Sequence, residues 1–169
     1  ALVADLTARA LGTSHSDYPL LPTLELDPLL LARVLVAGVA FGLTALLFIE
    51  VTHGVKRLTG RLKNPLLRPL LGGLVVLGMA ALLGTQDYLG LSLPLLNQAL
   101  DGTGIPTGAF LFKLVFTAVT LGSGFVGGEV TPLFVIGGTL GYTLAAPLGM
   151  DSTLLAALGM AAVFAGASN

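Results

Sequence analysis

Charge is scarce in this chain and unevenly placed, and that feature constrains its fold more than any other. From Leu29 to Ile49 a single charge, Arg33, occurs in 21 residues. At about 1.5 Å of rise per residue, a helix of that length crosses the roughly 30 Å hydrocarbon core of a bilayer. From Phe110 to Asn169 only Lys113, Glu129 and Asp151 are charged in 60 residues. Over the whole chain 54% of residues are hydrophobic and 10% charged, with a mean hydropathy of +0.93, where soluble domains carry roughly a quarter charged residues. The expected class is an all-α integral membrane protein with tilted and broken transmembrane helices.

Other classes fall away on the same arithmetic. Eight Lys and Arg against nine Asp and Glu leave a net charge of -1, so there is no basic excess to bind nucleic acid by releasing counterions. No Cys is present, which removes disulfides, thiolate metal sites and a Cys nucleophile; no metal and no cofactor is expected. The chain opens at Ala1 without an initiator Met or a basic leader and stops within the small-residue run Ala165 to Asn169. An interior segment of a longer protein is therefore expected.

Residues 1–169 read as part of one transmembrane domain, with helices expected at about 1–11, 28–53, 65–84, 89–100, 107–121, 129–146 and 153–167. Asp27-Pro28 supplies an N-cap and a first-turn proline for the clearest span. Five of the eight basic residues, Lys56, Arg57, Arg61, Lys63 and Arg68, cluster after it, which makes the 54–65 loop cytoplasmic by the positive-inside rule. The acidic stretches holding Asp17, Glu25 and Asp27, and Asp87 and Asp101, then lie outside. The apolar patch Leu89 to Leu100 is too short to cross and reads as a re-entrant or interfacial helix. Beyond Thr107, Gly and Pro cut the chain into pieces too short for simple spans, a pattern that transporters use to build ion sites. Glycines four apart recur at 38/42, 104/108, 124/128 and 137/141. Helix packing explains the first and last of these pairs; the other two sit at breaks.

Gly122-Ser123-Gly124-Phe125-Val126-Gly127 matches G-x-G-x-x-G, but it lacks the preceding strand and the following acidic residue of a dinucleotide site. The glycines have a better use. They end at a helix start, Glu129-Val130-Thr131-Pro132, whose unpaired N–H groups and dipole form a small anion site. Ser123 and Thr131 add hydroxyl donors, and the glycines let a bare ion approach the backbone. Glu129 is the one charge between Lys113 and Asp151. An acid at membrane depth is costly and points to function, here proton linkage to the anion; the plain alternative is a helix-end acid facing water.

The run Gly122-Ser123-Gly124-Phe125-Val126-Gly127-Gly128-Glu129-Val130-Thr131-Pro132-Leu133-Phe134, followed by Gly137-Gly138-Thr139-Leu140-Gly141, resembles the G-S-G-x-x-G-G-x-x-x-P signature of the CLC family of chloride channels and anion/proton antiporters. The long helix, basic connection, second helix, short re-entrant piece and broken helices are similar to the second half of that family's inverted-repeat membrane domain. The resemblance implies a homodimer in which each subunit carries its own anion pathway, lined here by Ser123, Gly124, Gly127, Gly128, Glu129, Val130 and Thr131. The family's serine loop, its G-[KR]-E-G motif with the gating glutamate and its late tyrosine have no counterpart in these residues, so the remaining half of the domain is an implied partner. Chloride-handling members usually carry apolar residues, often Ile-Phe, after the Gly pair, whereas Glu129-Val130-Thr131 resembles the bacterial fluoride/proton antiporter branch. That implies fluoride/proton antiport in a bacterial inner membrane, with Thr131 donating to an ion that demands strong hydrogen bonds. A passive chloride channel is the alternative within the family. A membrane enzyme is distant, because the spans hold no acid pair, His or Lys–Ser arrangement.

The remaining candidates are weaker. His15 and His53 sit at segment ends without metal-ligand spacing, and Ser14-His15-Ser16-Asp17 is too compact for a triad. Phe110, Phe112, Phe116 and Phe134 read as core or lipid contacts, and Asn169 as a possible pathway turn.

Overall fold

A computed structural model describes Thr7 and residues 27–168, and among these every regular element is a helix. The helix expected over 1–11, apart from Thr7, and Ser14, His15, Ser16, Asp17, Glu25 and Asn169 lie outside the described residues. The six helices are α1 (Pro28–Gly60), α2 (Leu67–Leu83), α3 (Leu93–Asp101), α4 (Ala109–Gly122), α5 (Val130–Leu148) and α6 (Ser152–Ser168).

Helix α1 starts as expected, with extended Asp27 at the N-cap and Pro28 in the first turn, although the Asp27 carboxylate makes no capping bond. Its end differs. Gly54 does not stop it, and the helix runs 33 residues to Gly60, so Lys56 and Arg57 lie on its last turns and not in a loop. A lone glycine costs a helix only about 1 kcal/mol, and tertiary contacts hold the extension. Thr59 Oγ1 donates to the Gly122 carbonyl at 2.9 Å, and Arg68 Nη2 to the carbonyls of Gly60 and Leu62 at 3.4 and 3.3 Å.

The core is built around the α5–α6 hairpin, joined by Gly149, Met150 and Asp151, with Asp151 Oδ1 capping α6 at the Leu154 N–H, 2.8 Å away. Glycines set the closeness of the pair. A side chain at Gly137 would collide with the Gly159 carbonyl, and one at Gly141 with the Leu155 carbonyl, so the two backbones touch. Leu133 and Ile136 of α5, Leu155 and Val163 of α6, and Leu114 of α4 are at most 1% exposed, packed with Phe41 and Phe48 of α1. On the other side of the hairpin, Leu95 and Ala99 of α3 pack with Phe116, Val135 and Ala156. Lipid is as apolar as these side chains, so contact density and close backbones stabilise such a bundle more than escape from water does.

Helices α1 and α2 are the periphery. Leu35 and Leu43 of α1 are 71% and 61% exposed and Leu82 of α2 is 89% exposed, an apolar outer face suited to lipid or to further protein. Both α1 and α5 are long and apolar enough to cross a membrane. For α5 this departs from expectation, since its 19 residues run unbroken and Pro147 falls only in the last turn. Helix α3 starts later than expected, at Leu93, because Ser92 takes a left-handed φ of 56° and Pro94 occupies the first turn.

Candidate functional site

The amino end of α5 forms where α4 stops. Helix α4 ends at Gly122, which lies so close to α1 that an added Cβ would come within 2.7 Å of Val55 Cβ and 2.9 Å of the Thr52 carbonyl. Gly124, with φ of 91°, then turns the chain in a conformation that side chains rarely adopt. Phe125, Val126, Gly127 and Gly128 carry it to Glu129, the N-cap of α5. The first helical bond runs from the Leu133 N–H to the Glu129 carbonyl at 3.0 Å. Pro132 has no N–H, so the Val130 and Thr131 N–H groups point out of the helix without an acceptor in it, and the dipole adds positive potential.

The residues expected at the anion pathway divide into two groups. Gly127, Gly128, Glu129, Val130 and Thr131 stand together at this helix end, with open space beside both glycines. Glu129 is exposed at the N-cap, where a helix-end acid facing water would also stand, and its carboxylate makes no capping bond. Ser123 points elsewhere. It is 1% exposed and packs on α2, where a side chain at Gly72 would strike its Cβ and Oγ. Its contact is between helices, and Gly124 supplies the turn.

In front of the glycine break lies a cavity of about 380 Å³, lined by Gly127, Gly128 and Pro132 on one side and by Lys113, Thr117 and Thr120 of α4 on another. The α4 positions are spaced three and four apart and share one helix face. The connection from Tyr88 to Leu91 closes another wall.

Lys113 is the residue that sequence reasoning missed. It is 1% exposed, in the second turn of α4. Its ammonium donates to the Tyr88 carbonyl at 3.2 Å, the Gly90 carbonyl at 2.6 Å and Ser92 Oγ at 2.8 Å. The signal was its isolation, since it is the only base between Arg68 and Asn169, and a charge inside an apolar helix is rarely idle. The aromatic residues divide as well. Phe116 is buried, its ring centroid 5.8 Å from that of Tyr88, while Phe112 is 40% exposed; Phe134 meets Phe164 edge-on at 5.2 Å. His53 is exposed on α1. Among the described residues no group of three or more His, Asp or Glu could hold a metal.

Comparison with known proteins identifies the family and agrees with the overall fold. A family model described as "Voltage gated chloride channel" matches residues 1–169. The chain is 41% identical over 177 residues to a "Chloride/fluoride channel protein" of Pseudomonas syringae pv. tomato, covering 100% of this chain and 39% of that relative. A solved structure, "Crystal structure of a CLC-type fluoride/proton antiporter", superposes with a TM-score of 0.89 at 37% identity, covering 99% of this chain and 43% of the other. The chain thus spans about two fifths of the length of these relatives.

Proposed function

Because the chain belongs to the voltage-gated chloride channel family, the CLC proteins, a family of integral-membrane channels and transporters and not of enzymes, we propose that it contributes half of an anion pathway that exchanges fluoride for protons. The observation that carries this reading is the start of α5. Two glycines with open space beside them precede Glu129-Val130-Thr131, so an ion can approach N–H groups that the helix leaves unused. Fluoride loses a strongly held water shell on entering such a site and needs short, directed donors in return. The Thr131 hydroxyl supplies one beside the backbone, and Glu129 supplies a group whose protonation is coupled to an anion by charge.

The remainder of the domain supplies the other walls of the pathway, and the protein works as a homodimer in a bacterial inner membrane. The basic cluster from Lys56 to Arg68 faces the cytoplasm on this reading. The likeness in fold and sequence to a CLC-type fluoride/proton antiporter supports antiport. The name of the Pseudomonas relative speaks of a channel, which keeps passive halide flow as the second reading.

The test is halide release from liposomes holding the full-length protein, fluoride against chloride, with external pH followed. Fluoride preference with opposing proton movement is expected. Halide flux without a proton signal leaves a channel, and a chloride preference removes Thr131 from the argument. Thr131→Val, which deletes one donor at near-equal volume, is expected to lower the fluoride-to-chloride ratio about tenfold, the worth of one charge-assisted hydrogen bond. An unchanged ratio takes the hydroxyl out of the site.

A further inference from the structure

The groups around the Lys113 nitrogen suit an ammonium. Two of its partners are carbonyl oxygens, which only accept. The third, Ser92 Oγ, spends its own hydrogen on the Leu89 carbonyl at 3.3 Å, and so accepts from the lysine. Three acceptors require three N–H donors, which an ammonium has and a neutral amine lacks. Lys113 is therefore a buried positive charge held by dipoles, with no carboxylate among its partners. Buried charges are ordinarily paired, and this one carries its full charge to the wall of the cavity that opens on Gly127 and Gly128. Thr117, one turn along α4, lines the same cavity, is 7% exposed, and its hydroxyl has no partner among the described residues.

We propose that Lys113 is a fixed cation that draws the anion into this cavity and toward the amino end of α5, acting through its field and not by contact. Its three donors are already spent, so it cannot ligate an ion; its charge and the α5 dipole act on an anion with the same sign. The carbonyls of the Tyr88–Ser92 connection hold the ammonium in place, which makes Lys113 a positioning residue of the pathway. This rests on the anion-pathway reading above but not on proton coupling.

The experiment compares Lys113→Met with the wild-type full-length protein in liposomes, measuring the concentration dependence of chloride and of fluoride flux. At an effective dielectric of about 20, one charge near the path alters anion binding on the order of tenfold. The expected result is a KM about tenfold higher for both halides with the maximal rate within about twofold of wild type, a split typical of lost electrostatic attraction. Thr85→Ala serves as the control. It breaks the 2.6 Å bond to Asp87 and loosens the same connection while leaving Lys113 charged, so its KM stays at the wild-type value. An unchanged KM in Lys113→Met, or an equal rise in Thr85→Ala, overturns the proposal. Lys113→Gln keeps two donors for the carbonyls without the charge and replaces the methionine variant if that does not fold; failure of both to fold assigns Lys113 to anchoring alone and overturns the proposal too. A wild-type protein that moves no halide removes the pathway reading itself, whereas halide flux without protons removes only the coupling and leaves the variant comparison intact.

Discussion

Gly38/Gly42 on α1 and Gly137/Gly141 on α5 share one spacing and one sequence signature, yet they do different things. The α5 pair meets backbone: a Cβ at either position would run into a carbonyl of α6. The α1 pair has nothing within 4 Å of an added Cβ, on a helix whose neighbouring Leu35 and Leu43 are largely exposed. A third pair, Gly127 and Gly128, is equally open but lies at a helix end that borders a cavity. Small residues four apart permit close approach of two backbones, and whether a partner comes depends on the rest of the chain.

Substitution at these glycines separates the three cases. The largest effect is expected at Gly137→Leu, which forces a side chain into the Gly159 carbonyl. Overpacking typically costs about 1–3 kcal/mol and more where the obstacle cannot give way, and the full-length variant is expected to lose its monodisperse peak in size-exclusion chromatography. A well-folded Gly137→Leu protein would break the contrast between the pairs. Gly128→Leu comes next. Its Cβ has room, so the melting temperature is expected to stay near wild type while halide flux is abolished by a side chain standing before the α5 amino end. A loss of stability equal to that of Gly137→Leu would make Gly128 a packing residue. Smallest is Gly38→Ala, expected to stabilise by about 0.5–1 kcal/mol, because alanine is the better helix former where nothing is displaced. A fall in the melting temperature instead would reveal protein packed on this face in the complete molecule.

The helices were largely legible because their signals are local. Scarce charge, Pro near helix starts and glycine at breaks located the elements, and the Glu129 to Pro132 run marked the start of α5 that the structure describes. The misplaced boundaries share one physical cause. Helix α1 passes Gly54 because Thr59 donates to the distant Gly122 carbonyl and Arg68, at the start of α2, donates to the carbonyls of Gly60 and Leu62 at its end. Leu89 to Ser92 stays out of α3 because Lys113, more than 20 residues later, takes up the carbonyls of Tyr88 and Gly90. Ser123 read as an anion donor by its place in the motif, and its direction toward Gly72 depends on how α2 leans on α4.

Hydrophobicity, charge placement and the glycine-rich signature act over a few neighbouring residues, and they suffice for the all-helical class, the family and the start of α5 after Glu129. Which glycine pair receives a partner, where the serine points and how a lone lysine remains charged in an apolar helix depend on groups far apart in the chain. Burial and hydrogen-bond satisfaction are settled by the whole surroundings of an atom, and those surroundings exist only once α1, α2 and the Tyr88–Ser92 connection have packed around α4 and α5.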